Sequence, residues 1–137
     1  MPPMMTGLWW VSIGAATVAA FVIGGIWYSP AVFGRRWMSL NGFTDQDLKR
    51  RHMGRVFALS FLLVLVMTVN LAAFLGPSPS LGFCIAAGAA AGVGWSAAGL
   101  GVIYLFEGRP FTLWLINGGY QAVTLAAIGA VLGLFAR

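Results

Sequence analysis

Asn117, Tyr120, Gln121 and Thr124 are the polar side chains best placed to act together in this chain. Wound as a helix, they fall within about a hundred degrees of one face. Amide, phenol and hydroxyl groups can hydrogen-bond a small molecule, but none is an activated nucleophile with its base. Glu107 and Arg109 come just before them, and Trp27, Tyr28, Arg35 and Arg36 can lie on the same side. A pocket of aromatics with a few polar groups suits a small neutral or amphipathic molecule or a lipid headgroup. The competing reading is structural: the same groups bond across helices, and Glu107 pairs with Arg109 or with the arginines near Trp27 to fix a turn.

The rest of the chain offers little other chemistry. No Asp, Glu, Lys, Arg or His falls in the middle of an apolar run, which argues against hydrolysis and against a membrane carboxylate relaying protons. His52 and Cys84 are each the single residue of their type and lie far apart, so neither a metal site nor a disulfide is expected. No cofactor is expected, and an enzyme is the less favoured class.

The elements that must position these groups are apolar runs. Of 137 residues, 60% are hydrophobic and 8% charged, and the mean hydropathy is +0.89. A water-soluble surface needs more charge than that. We read an all-α, polytopic membrane protein, one domain over residues 1–137. Its four transmembrane helices form an up-down bundle, with spans at about 7–28, 56–75, 81–106 and 111–135. Trp9, Trp10, Trp27 and Tyr28 mark the two ends of the first span as interfacial aromatics do. Basic charge follows this run instead of preceding it, so it reads as a retained helix and not as a secretion signal. Pro30 ends it. Residues 76–80 and 107–110 make the two short turns.

Residues 31–54 are the extended polar loop. Asn41-Gly42 reads as a turn, and Thr44 with Asp47 as a capping box. The helix it starts is expected to run on into the second span. Arg35, Arg36, Lys49, Arg50, Arg51 and Arg55 cluster in or beside this loop, where basic side chains meet lipid headgroups and anchor topology. With Arg109 they put seven basic residues on one side of the membrane, against Arg137 on the other. The positive-inside rule then makes the loop cytoplasmic and places both termini outside, in a bacterial inner membrane. The net charge of +5 has this topological cause, and no nucleic-acid partner is expected.

Small residues mark where membrane helices approach closely. The third span has two such rows: Gly82, Ala86, Ala90, Gly94, Ala98, and Gly88, Gly92, Ser96. The first span has Ala16, Ala20, Gly24. The fourth has Gly118, Ala122, Ala126 with Gly129 and Gly133, on a face away from its polar groups. The second span is bulky all round. The third span is therefore expected at the centre and the second against lipid, with Asn70 bonding locally. The same rows could dock a homo-oligomer or a membrane protein partner.

The pattern Trp27-Tyr28-Ser29-Pro30, then Phe33-Gly34 and Trp37, resembles the domain of unknown function 1761 family of small bacterial membrane proteins. Phe106-Glu107-Gly108-Arg109 and Gly119-Tyr120-Gln121 add to the likeness, which runs over nearly the whole chain. The resemblance implies four membrane helices and no accepted activity. It implies that Trp27, Tyr28, Pro30, Gly34, Glu107, Arg109 and Tyr120 belong to the family's pattern. Two function classes follow: binding or passage of a small neutral or amphipathic molecule or lipid, and a structural or partner-binding membrane protein.

Overall fold

The computed structural model describes residues 6–77 and 79–136. Pro2 and Pro3 of the N-terminal tail, Ser78 of the 76–80 turn and Arg137 of the charge count lie outside them. The described chain is helical: α1 (Gly7–Trp27), α2 (Gly34–Asn41), α3 (Asp45–Lys49), α4 (Met53–Leu75), α5 (Leu81–Ala91), a π-helical stretch (Gly92–Ala97), α6 (Ala98–Glu107) and α7 (Phe111–Phe135). The stretch from Leu81 to Glu107 is one long helix with a widened middle. Among the described residues four helices are long and apolar enough to cross a membrane: α1, α4, the Leu81–Glu107 helix and α7. They are the first to fourth spans of a multi-pass membrane protein.

Local chemistry explains the ends. Thr6 caps α1 through the Trp9 N–H, and Ser80 caps α5 through the Phe83 N–H. Gly42, at φ 70°, closes α2 in the left-handed conformation. The Thr44–Asp47 capping box forms: the Thr44 N–H donates to Asp47 Oδ2 at 2.8 Å, and the Asp47 N–H to Thr44 Oγ1 at 3.1 Å. The helix that it starts does not continue into the second span as expected. It stops after Lys49, and the second span begins afresh at Met53 because His52 Nδ1 accepts the Arg55 N–H at 3.0 Å. A side-chain acceptor that satisfies an early N–H makes a new helix start there.

The packing corrects the expected centre. The fourth span is the hub, with the largest share of buried residues of the four, whereas the third has the smallest. The third span meets the fourth along one seam. A Cβ on Gly88 would strike the Leu125 carbonyl, one on Gly129 the Cys84 carbonyl, and one on Gly92 would sit 2.6 Å from Ala122 Cα. The small residues of the third span's other faces, among them Gly82, Gly94 and Gly99, look into open space. Small size permits close approach on every side, but only one side is used. The first span lies on another side of the fourth, with Ala16 and Ala20 fully buried. The second span, expected against lipid, does expose much of its bulk, yet Val64, Thr68, Leu71, Ala72 and Leu75 are buried, chiefly toward the first span.

The spans therefore run second, first, fourth, third around an arc. The core of Ile13, Leu71, Cys84, Leu125 and Ile128 sits in the half away from the polar loop. The buried hydroxyls of Thr17 and Thr68 donate back to Ile13 and Val64 carbonyls of their own helices, at 2.7 and 3.0 Å. Consecutive in sequence, the second and third spans scarcely touch, and a groove opens between them.

Candidate functional site

Among the described residues, two places stand out as able to do chemistry. One is a polar node at the loop end of the bundle, built by the residues that the sequence singled out. Asn117 of the fourth span sits at its centre. Tyr28 Oη donates to Asn117 Oδ1 at 2.6 Å, and Asn117 Nδ2 donates to Tyr104 Oη at 2.7 Å. One carboxamide thus ties the fourth span to the first and the third. Beside it the Trp27 indole N–H donates to the Ile116 carbonyl at 3.0 Å. The Tyr120 ring meets Tyr28 edge-on, centroids 5.2 Å apart. Gly24 leaves room for it, since a Cβ there would lie 3.2 Å from Tyr120 Oη.

The segment after the first span folds back onto this node. Phe33 and Gly34 N–H groups donate to the Trp27 and Ser29 carbonyls at 3.0 and 2.9 Å. A Cβ on Gly34 would collide with the Tyr28 carbonyl oxygen, so only glycine lets the chain turn this tightly. Phe33 then packs on Trp27 and Trp37 on Tyr28, at ring distances of 4.9 and 5.8 Å. Arg109 reaches the same cap, donating to Asn41 Oδ1 at 2.8 Å. That contact replaces the expected pairing with Glu107, which is exposed.

Of the expected ligand-binding set, the fold thus brings Trp27, Tyr28, Asn117 and Tyr120 together, with Arg109 at the edge. Glu107 stays outside. Gln121 is half-buried beside the third span, where its backbone carbonyl faces Gly92. Thr124 is fully buried, and its hydroxyl has no hydrogen-bond partner among the described residues. Arg35, Arg36, Lys49, Arg50, Arg51 and Arg55 are all exposed on the loop side; Arg51 also lies over the Phe43 ring, 4.6 Å from its centroid.

A protein-family model described as a protein of unknown function (DUF1761) matches residues 11–133. The chain belongs to that family. The positions that carry the DUF1761 resemblance are mostly those of the node: Trp27, Tyr28, Gly34, Arg109 and Tyr120 lie there, while Pro30 and Glu107 are exposed at its margin. No curated protein and no solved structure matches the chain.

The second place is the groove between the second and third spans, about 720 Å³ in volume. Met67, Leu71, Phe74, Phe83, Ala87 and Leu125 make its walls largely apolar, and Asn70, Trp95 and Ser96 add polar atoms. Its size is that of a small-molecule site. Sequence reasoning missed it. Asn70 was legible as a local partner, and it does donate to the Val66 carbonyl at 2.8 Å. Tyr104 was missed as a node residue, because one phenol in an apolar run has no periodic signal.

Proposed function

We propose that this protein binds an elongated amphipathic or lipid-like molecule in the groove between its second and third spans. The membrane is taken as a bacterial inner membrane, with the polar loop cytoplasmic and both termini outside. The supporting observation is the groove itself: open, mostly apolar, and flanked by two consecutive spans that barely meet. The loop-end node is better suited to holding helices together, since its amide and two of its tyrosines already bond one another. We read the six basic side chains of the loop side as lipid headgroup contacts and topology anchors.

Native mass spectrometry of the protein released from a mild detergent tests this. The expected spectrum carries a reproducible extra mass of lipid size. Ala90→Phe, which adds bulk from an exposed position in the groove wall, is expected to remove it and leave the fold intact. A bare protein, or an adduct that ignores Ala90→Phe, sinks the reading.

A second reading is structural: a partner-binding or self-associating membrane protein. It is favoured by the open space around Gly82, Gly94 and Gly99 on the third span. The same spectrum reports subunit number, and a homo-oligomer without adduct would support it.

A further inference from the structure

The third span changes character at its middle. Between Leu81–Ala91 and Ala98–Glu107 the backbone widens into the π-helical stretch Gly92–Ala97. Such turns are rare and concentrate at functional sites. Here the stretch presents Trp95 and Ser96 to the groove. Trp95 is 77% exposed. It stands about 20 Å along the helix from either end of the span, near mid-depth in a hydrocarbon core about 30 Å thick.

That is an unusual place for an exposed indole, which prefers the interfaces. Trp27 and Trp114 give their N–H groups to the carbonyls of Ile116 and Ala97. Among the described residues neither Trp95 Nε1 nor Ser96 Oγ has a hydrogen-bond partner. Hydrocarbon offers none, and a donor left unpaired there is costly. A lipid acyl chain would fill the groove and leave both donors unpaired. Toward the end of the span away from the polar loop, Asn70 also lines the groove, its amide N–H donating to the Val66 carbonyl.

We propose that the groove selects an elongated apolar molecule with a hydrogen-bond acceptor, such as a carbonyl oxygen, at mid-bilayer depth. Trp95 Nε1–H and Ser96 Oγ–H are the groups that receive it. This deepens the groove reading above and rests on it.

The test uses the full chain in detergent micelles, titrated by native mass spectrometry with octadecanoic acid and its analogue bearing a ketone at the twelfth carbon. The ketone is expected to bind about tenfold more tightly, the worth of roughly one well-placed hydrogen bond. The double variant Trp95→Phe with Ser96→Ala keeps the shape and removes both donors. It should bind the two acids equally, with affinity for the plain acid unchanged. Equal binding by the unsubstituted protein, or a preference that survives the double variant, overturns the inference. If plain acid binding is abolished by Ala90→Phe without any ketone preference, the groove reading stands and only the acceptor is wrong. If neither acid binds, both fall. A dimer that Ala90→Phe dissociates would make the occupant a second copy and overturn it as well.

Discussion

Asn117 uses both halves of its carboxamide on tyrosines from two other spans, and this decides what the polar face of the fourth span is for. Interhelical hydrogen bonds within a membrane contribute on average a little over half a kcal/mol each, with the strongest near two. Asn117→Leu removes two and leaves Tyr28 and Tyr104 hydroxyls short of a partner, so a loss of about 1–3 kcal/mol is expected. Gln121→Leu should stay within about 0.5 kcal/mol, because among the described residues that side chain has no hydrogen-bond partner. Unfolding in mixed micelles measures both, and equal losses would contradict the node. The sequence made Asn117 and Tyr120 visible by their shared face, and Trp27 and Tyr28 by their place at a span end. It could not show Gly34 as the residue that folds the chain back on them. That need comes from the Tyr28 carbonyl lying where a Cβ would go, a fact of three dimensions.

Among the elements, the polar loop is the part most exposed to water and the most open to pH. The Thr44 N–H, with its hydroxyl, holds the Asp47 carboxyl below its ordinary value. A carboxylate whose value is lowered on folding lends stability above the unfolded-state value, and that stability fades as pH falls through the folded one. The α3 turn should therefore be intact at neutral pH and loosen below about pH 4. Hydrogen exchange at the Thr44 amide would report it, and Asp47→Asn should remove the pH dependence. The spacing of Thr44 and Asp47 made this cap readable in advance. The break before Met53 was not, because Lys49, Arg50 and Arg51 are good helix formers and a histidine is an uncommon cap. The π-helical stretch was not legible either, because Gly92–Ala97 lies within the same small-residue rows as the helix on each side of it and its composition does not mark a change of pitch.

For the whole molecule, four apolar helices were legible from composition and run length, but their order around the arc was not. Counting small residues finds every face that could be packed. Gly88 and Gly92 lie in a closed seam, and Gly82, Gly94 and Gly99 do not, though nothing in their spacing separates them. Gly88→Leu forces two backbones apart and should cost about 3 kcal/mol or more, whereas Gly94→Leu should be tolerated. Thermal unfolding in detergent compares the two, and similar losses would place the seam elsewhere.

The arc has an edge where the second and third spans part, and among the described residues its two lips scarcely touch. A molecule resting there comes and goes sideways, through the plane of the membrane. Its supply is then set by its mole fraction among the surrounding lipids and by two-dimensional diffusion. Diluting the protein in water would leave occupancy unchanged; diluting it with more bilayer would empty it.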